Sequence, residues 1–447
     1  MRSSCVRVSN IMDIGGMFMM FETLHRGDRS VYVQYAALAL SRAGYETKIS
    51  SDFDDRMYRA AVAFQNDNGS AADGIIGADT WSALRPYLVG YRIIKAESGD
   101  TIENIAARYG TDAAAIITAN PDIGEDIAGE FVTVPLSFDV VPANVDYTSA
   151  LTALVTDGIT ARYPFVEASS AGNSVIGTPI GVMKIGTGNT EVFFNASHHA
   201  NEWITTPLVL RFAESYAKAY AFGGGISGKS AAQLYDSRTL YIMPLVNPDG
   251  VDLVNGGIND NFFVNLTRGI SAGYPFIPYP SGWKANILGT DPNLNYPAGW
   301  VNARAIKFER GFVSPAPRDF VGTAPLSAPE SRAAYEFTLE HSFALTISYH
   351  TQGEVIYWKY LDYEPERSRA IAEELSRVSG YETQTTPSES GYAGYKDWFI
   401  SYYNLPGYTV EAGRGENPLP LEQFDTIYAA NEPLMATAME LASELSI

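Results

Sequence analysis

Short apolar runs of strand-like composition alternate with longer helical patterns from residue 145 to residue 447. The runs are rich in β-branched and aromatic residues, and the clearest lie at residues 190–195, 239–246, 343–349 and 407–411. Helical patterns lie between them at residues 206–221, 328–339 and 365–378. Strands that alternate with helices are typical of α/β folds. We therefore predict one large α/β sandwich, in which residues 255–281, rich in Gly, Asn, Phe and Pro, form a long loop.

The composition excludes several classes of protein. Hydrophobic residues make up 46% and charged residues 18% of the 447 residues, which excludes disorder over most of the length. The formal net charge is −20, so a polyanion such as nucleic acid is not an expected partner. No run approaches the roughly 18 consecutive apolar residues of a membrane-spanning helix, and no membrane span is expected.

Cys5 is the only cysteine, which excludes an intramolecular disulfide and a thiolate zinc site. Any metal must therefore be bound by histidines and carboxylates. The first twenty residues carry early arginines, but Asp13 and the pair Gly15 and Gly16 interrupt their apolar part, and no small-residue cleavage site follows. The sequence predicts no clear signal peptide and leaves the export route open.

Residues 24–90 combine helical apolar stripes with a tight turn at Asp73 and Gly74, which predicts a small helical bundle. Residues 61–84 in particular resemble the helical peptidoglycan-binding module of bacterial wall hydrolases. That resemblance covers nearly the whole segment and implies that the bundle binds cell wall.

Residues 91–137 predict a strand, two helices and a returning strand. Gly99, Asp100 and Thr101 precede the first helix, and Pro121 cannot continue the second. This βααβ unit resembles a LysM module, which implies binding to glycans that contain N-acetylglucosamine. Both N-terminal modules then imply one partner, peptidoglycan, and two weak modules on one chain gain by avidity.

Five histidines are present, and two of them follow an apolar strand directly. His199 precedes Glu202 by three residues, so their side chains fall on one face of a helical turn and can share a metal. His350 also follows a strand, at the edge where open α/β sheets place their ligands. Two histidines and one carboxylate leave a position for water, which predicts a catalytic metal site. His198, four residues before Glu202, is the competing ligand.

Three further motifs also lie at predicted strand or loop boundaries, at residues 247–250, 289–293 and 408–411. Together with the histidine motifs they resemble the zinc carboxypeptidase family over residues 145–447. The two wall modules, with the strings KDWFI and NPLP, make the branch of γ-D-glutamyl-L-diamino acid endopeptidases the most similar. The resemblance implies a mixed-sheet α/β/α sandwich.

Position by position, the resemblance implies that His199, Glu202 and His350 bind one Zn²⁺ ion. It implies that Glu411 is the general base. The chemistry agrees, because zinc lowers the pKa of its water and a carboxylate can take the proton and later protonate the leaving amine.

The resemblance also suggests roles for residues around the metal. Asp291 would orient His199, since metal-bound histidines usually need such a partner. Asn293 would lie near the substrate. Tyr392 is a candidate to hydrogen-bond the substrate, with a packed or surface ring as the alternative. His25 and His341 are expected to be ordinary surface or core histidines.

Two departures from the family pattern bear on activity. Carboxypeptidases of the family carry an arginine after Asn293 that binds the terminal carboxylate, but Leu294 occupies this position. Preference for a free C-terminus should therefore be weak. The arginine that polarises the scissile carbonyl is also missing from its expected stretch, which holds only Lys284. Lys284, Arg268 and Arg414 are the candidate substitutes.

These patterns predict a zinc metallopeptidase that hydrolyses the γ-D-glutamyl-diamino acid amide of peptidoglycan stem peptides. A metallocarboxypeptidase that trims stem peptides, and a wall-binding protein with a weakened peptidase domain, are the alternatives. A bacterial protein associated with the cell wall or the spore is expected, and a cytoplasmic location stays open. The sequence leaves the diamino acid and the oligomeric state undetermined.

Overall fold

The computed structural model describes residues 21–387 and 389–442. They form two compact units: one runs through Val140 and includes Asn144–Asp146, and the other contains Val141–Ala143 and the chain from Tyr147 onward. Cys5 and the first twenty residues, on which the signal-peptide prediction rests, lie outside the described residues. Within the described residues, no helix is both long and apolar enough to cross a membrane.

The first unit begins with a helical module made of α1 (Val31–Arg42), α2 (Asp55–Asp67) and α3 (Ala78–Val89). Its core includes the buried rings of Phe64 and Trp81. The buried side chain of Gln65 crosslinks the turn that precedes α3, because it donates to the Ile75 carbonyl and accepts from the Gly74 amide, both at 2.8 Å. The predicted helical bundle is confirmed.

The same unit continues with β1 (Tyr91–Lys95), α4 (Ile102–Tyr109), α5 (Ala113–Ala119) and β2 (Phe131–Pro135). Thr101 and Asn104 form a reciprocal capping box at the start of α4. The two strands pair antiparallel with Tyr91 opposite Pro135, and the Leu136 amide donates to the Gly90 carbonyl at 2.8 Å. The predicted βααβ order is confirmed. The first and last residues of this module lie next to each other.

The second unit carries the remaining elements. Its first half contains α6 (Ser149–Arg162), β3 (Glu167–Asn173), β4 (Pro179–Ile185), β5 (Thr190–Ala196), α7 (Thr205–Ala221), β6 (Gly225–Ile226), β7 (Lys229–Ser230), α8 (Ala231–Ser237), β8 (Arg238–Met243), α9 (Pro248–Asn255), α10 (Asn261–Ala272) and α11 (Trp300–Glu309). Its second half contains α12 (Pro329–Leu339), β9 (Phe343–His350), β10 (Val355–Tyr357), α13 (Ser368–Ser379), β11 (Glu382–Gln384), α14 (Tyr395–Tyr403), β12 (Gly407–Glu411) and α15 (Phe424–Leu441).

In the part of the chain that the structure describes, eight strands of this unit form one mixed sheet in the order β11-β10-β12-β9-β5-β8-β4-β3. The neighbours β12, β9, β5 and β8 run parallel, and antiparallel pairings flank this group on both sides. β9 is buried along its whole length, as expected for a central parallel strand covered on both faces, and its buried residues include the polar Thr346, Ser348 and His350.

Helices cover both faces of the sheet. Phe193 and Phe194 are adjacent on β5 and therefore point to opposite faces. Phe193 packs against Phe337 of α12 with ring centroids 5.4 Å apart, and Phe194 packs against Phe212 of α7 at 6.1 Å. The predicted mixed-sheet α/β/α sandwich is confirmed.

The prediction of a loop over residues 255–281 is wrong in part, because Asn261–Ala272 forms helix α10. The Asp260 side chain caps this helix by accepting from the Phe262 amide at 2.8 Å. Phe263 and Ile270, two turns apart, pack against a buried cluster that contains Trp283. Tertiary packing of one apolar stripe thus stabilises a helix in a segment of loop-like composition.

Candidate active site

The candidate site lies at the carboxyl edge of the central parallel strands. His199 follows the end of β5, and Glu202 lies in the short 3-10 helix Ala200–Glu202 that comes next. β9 ends at His350 and β12 ends at Glu411, and these two residues lie opposite each other in the strand register. The topology therefore brings together four residues that are far apart in sequence, at the edge where open α/β sheets bind ligands.

His199, Glu202 and His350 form a group that is positioned to bind a metal ion. One ligand atom from each lies within 4.8 Å of the other two. His199 Nδ1 is 3.0 Å from Glu202 Oε1 and 3.2 Å from His350 Nδ1, and His350 Nδ1 is 2.9 Å from Glu202 Oε2. Two imidazole nitrogens and a carboxylate that converge in this way fit a cation, and a donor set of two histidines and one carboxylate suits Zn²⁺.

The other histidines lie outside this group. His198 is fully buried and its Nε2 lies 2.9 Å from the Tyr296 hydroxyl, so this nitrogen is engaged by Tyr296 and not by Glu202. Exposed His25 lies 3.6 Å from the Asp28 carboxylate, and the Nδ1 atom of His341 lies 3.2 Å from Glu191 Oε1. The geometry thus places His199, and not His198, beside Glu202.

Both histidines of the group contact a polar partner through their second ring nitrogen. His199 Nε2 is 3.2 Å from Asp291 Oδ1, and His350 Nε2 is 3.3 Å from the Asn293 amide nitrogen. Asp291 also accepts from the Asp319 amide at 3.1 Å. These contacts fix the ring orientations and direct both Nδ1 atoms toward Glu202.

The charges of the site shift the pKa values of its carboxylates in opposite directions. Burial alone would raise the pKa of Glu202, but the charges of His199 and Lys284 outweigh it and hold that pKa well below its usual range. Burial and the nearby charge of Glu202 raise the pKa of Glu411 to about 8. The structure thus pairs a strongly ionised carboxylate with one that readily holds a proton.

A cavity of about 300 Å³ opens beside the metal-binding group. His199, His350 and Glu411 line it, and so do Asn293 and Lys284. The cavity therefore has direct access to the metal-binding group and to the predicted base, and its volume is at the lower end for a small-molecule site.

Lys284 lies at the boundary between the metal-binding group and the cavity. Its Nζ atom is 2.6 Å from Glu202 Oε1. The other two candidates for the missing arginine are exposed and do not line the cavity: Arg268 is on α10, and Arg414 pairs with Glu354 at 2.6 Å.

Sequence reasoning missed Arg318, a half-buried residue whose side chain lines the cavity together with Lys307, Arg310 and Lys396. No motif marked it in the sequence, because residues 309–319 hold only two arginines, one Glu and one Asp among apolar and small residues.

Tyr392 is half buried, and its ring packs against an apolar cluster that includes Leu294, Ala303 and Val321. Thr386, Pro387, Glu389 and Ser390 of the same loop line the cavity instead. The role of Tyr392 in substrate binding stays a prediction.

An α/β sandwich with this group at its sheet edge defines a metal-dependent hydrolase. The chain belongs to the zinc carboxypeptidase family of metallopeptidases, whose family model matches residues 154–432. A putative peptidoglycan binding domain matches residues 32–84, and a LysM domain matches residues 94–126. These two modules indicate that the chain binds peptidoglycan and is associated with a bacterial cell wall.

Two bacterial relatives match more than three fifths of the chain. Gamma-D-glutamyl-L-diamino acid endopeptidase 1 of Lysinibacillus sphaericus is 44% identical over 285 residues, which cover 64% of this chain and 69% of the relative. The uncharacterized protein YqgT of Bacillus subtilis is 40% identical over 280 residues, which cover 62% of this chain and 73% of the relative.

Solved structures of the same fold include thrombin activatable fibrinolysis inhibitor. It aligns with a TM-score of 0.52 at 19% identity, over 80% of this chain and 98% of that chain. This likeness shows the fold.

Proposed function

We propose that this protein hydrolyses the amide bond between γ-D-glutamate and the diamino acid of peptidoglycan stem peptides. The observation that carries the proposal is the position of Glu411, opposite His350 in the strand register and in the same cavity as the metal-binding group. The scissile bond in this proposal is the one in the name of the Lysinibacillus sphaericus relative. The sequence identity of 44% supports assigning the same bond to this protein.

His199, Glu202 and His350 would hold the zinc ion. Bound zinc lowers the pKa of a water molecule and polarises a carbonyl oxygen. Glu411 accepts the proton of the attacking water on its carboxylate and later delivers it to the nitrogen of the leaving amine.

The neighbouring residues hold these groups and the substrate in position. Asp291 keeps the ring of His199 oriented through the contact at its Nε2 atom. Asn293 does the same for His350 and presents the rest of its side chain to the cavity. Lys284 is the cation nearest to the metal-binding group and stabilises negative charge that develops on the scissile carbonyl oxygen. Tyr392 would reach the substrate after a movement of its loop.

Endopeptidase action is favoured over carboxypeptidase action by the surroundings of Leu294. This residue is buried and belongs to an apolar cluster with Ala303, Val321 and Ala393. An apolar cluster offers no partner to a terminal carboxylate. Leu294 therefore does not disfavour a stem peptide that continues beyond the diamino acid.

The N-terminal modules hold the enzyme on its polymeric substrate. In this proposal the LysM module binds the glycan strand while the cavity takes the stem peptide, which raises the local substrate concentration. Action at the vegetative cell wall or at the spore is compatible with this arrangement.

The test is mass spectrometry of zinc-loaded full-length protein incubated with L-Ala-γ-D-Glu-diaminopimelate, with and without a terminal D-Ala, beside a Glu411→Gln control. Release of L-Ala-D-Glu from both peptides, lost in the control although zinc stays bound, is the expected result. Release of D-Ala alone would assign the protein as a metallocarboxypeptidase. No cleavage with zinc bound would favour the wall-binding protein, whose motivation is the missing carbonyl-polarising arginine.

A further inference from the structure

One side of the cavity carries a group of cations that the proposed chemistry does not use. Lys307 belongs to α11, Arg310 caps the C-terminus of that helix, and Arg318 lies in the segment that returns toward Asp291. All three side chains line the cavity. We call Lys307, Arg310 and Arg318 the cationic wall.

The cationic wall carries more positive charge than its own ion pairs neutralise. Asp319 pairs with both Lys307 and Arg318, whose Nε atom lies 2.6 Å from its Oδ2 atom. Among the described residues, Arg310 forms no ion pair, although Glu389 also lines the cavity from the opposite loop. Two of the three cations therefore share one carboxylate and the third has none within the described part of the chain, whose formal net charge over its full length is −20.

Asp319 holds Lys307 and Arg318 of this wall at a fixed place relative to the metal-binding group. Its backbone has a positive φ of 66°, a left-handed conformation that costs a non-glycine residue about 1 kcal/mol. In this conformation its amide donates to Asp291 while its carboxylate pairs with Arg318 and Lys307. Asp291 in turn contacts His199, so three contacts connect the wall to the candidate metal ligands.

We propose that Arg310 and Arg318 bind a carboxylate of the substrate away from the scissile amide, and so select acidic stem peptides. Guanidinium groups suit this task, because their planar forks bind a carboxylate through two parallel hydrogen bonds. Lys307 and Asp319 position Arg318. The inference rests on the proposed function and adds a selectivity determinant to it.

A stem peptide offers this carboxylate from three sources. The α-carboxylate of glutamate stays free when the γ-carboxyl group forms the scissile amide. Diaminopimelate carries a second carboxylate at the end of its side chain, and the peptide ends in a third at D-Ala. The chemistry that the wall recognises is the same in each case.

The experiment measures kcat and KM of the zinc-loaded full-length protein on four peptides. The reference is L-Ala-γ-D-Glu-diaminopimelate-D-Ala, and each of the other three lacks one carboxylate. They carry isoglutamine in place of glutamate, lysine in place of diaminopimelate, or a C-terminal amide. The variants are Arg310→Gln and, as a matched control, Arg304→Gln on the same helix, where the guanidinium lies 4.6 Å from the Phe308 ring and does not line the cavity.

We expect wild-type kcat/KM to fall about tenfold on one of the three analogues, which identifies the source of the carboxylate. Arg310→Gln should raise KM for the reference peptide about tenfold with little change in kcat, and leave kinetics on that analogue unchanged. Arg304→Gln should behave like wild type on all four peptides.

Equal wild-type activity on all four peptides would overturn this inference and leave the proposed function intact. So would an Arg310→Gln variant that matches wild type on every peptide, or that loses the same factor on every peptide. Wild-type protein that binds zinc and cleaves none of the peptides would refute the proposed function, and this inference with it.

Discussion

The metal-binding group and the cationic wall face the same cavity but are built on different supports. His199, Glu202 and His350 lie at the ends of central parallel strands or in the turn that follows, and each histidine has a polar partner on its second ring nitrogen. The wall lies on a helix end and on an irregular segment. Residues that carry out a reaction need rigid positions. Residues that select the substrate can lie on connecting segments, so that selectivity changes when such a segment changes. In the two proposals made above, the two regions therefore separate chemistry from substrate choice.

The largest effect should follow from breaking the metal-binding group itself. We expect His199→Ala to lose bound zinc and to lower kcat/KM by more than about a thousandfold, because it removes a direct ligand. His198→Ala is the matched control, since its ring contacts Tyr296 and not Glu202. Zinc content by elemental analysis is the measurement. Retention of zinc by His199→Ala together with its loss in His198→Ala would reverse the assignment.

A change at the boundary of the two regions should affect turnover and not metal content. Lys284→Gln should lower kcat about a hundredfold to a thousandfold, as removal of a group that stabilises a developing oxyanion does. Zinc should stay bound, because all three ligands remain. Steady-state kinetics beside zinc analysis tests this. A kcat within tenfold of wild type would remove Lys284 from the role, and Arg318 would be the next residue to test.

The wall should be breakable without loss of metal. Asp319→Asn keeps a residue that tolerates positive φ but leaves the buried ammonium of Lys307 without its carboxylate. We expect the free energy of unfolding at neutral pH to fall by about 3 kcal/mol, with zinc affinity unchanged. Denaturant unfolding at saturating zinc measures the first quantity, and competition with a chelator measures the second.

The same variant gives a pH test with a defined sign. Burial alone would raise the pKa of Asp319, but the charges of Arg318 and Lys307 hold it below its usual value of 3.8. Its stabilising contribution is therefore present above that value and is lost as the pH falls through the folded-state pKa. The stability difference between wild type and Asp319→Asn should shrink in acid, and a constant difference would contradict the pairing.

The smallest effect should come from the partner of a ligand. Asp291→Asn keeps the shape of the side chain but removes the charge that faces His199 Nε2. We expect zinc affinity to fall about tenfold to a hundredfold. Chelator competition against wild type measures it, and an unchanged affinity would show that the contact does not support the ligand.

Local patterns made most of the fold and the metal-binding group predictable. The three-residue spacing of His199 and Glu202, and strands that end at His350 and Glu411, are signals that a sequence carries directly. The choice between His198 and His199 was less direct, because it depends on Tyr296, which is distant along the chain. The three-residue spacing typical of the family favoured His199, but it did not reveal the contact between His198 and Tyr296.

The cationic wall was beyond sequence reasoning for a physical reason. Arg318 reaches the cavity because the segment that carries it folds back onto Asp291, whereas Arg310 lies at the end of α11. A sequence periodicity does not reveal that a segment folds back, because the fold-back depends on single contacts between residues that are distant along the chain. Helix α10 was missed in a related way, because its apolar stripe has meaning only against the cluster that contains Trp283.

The hydrogen bond between Leu136 and Gly90 brings the two ends of the LysM module together. Because β1 and β2 close the module at adjacent ends, the rest of the chain arrives and departs at one point. Excision of residues 91–135 would leave two ends already within hydrogen-bond distance. Such a unit can be duplicated, exchanged or deleted as a cassette during evolution, so wall affinity can change by whole modules while the catalytic unit keeps its sequence.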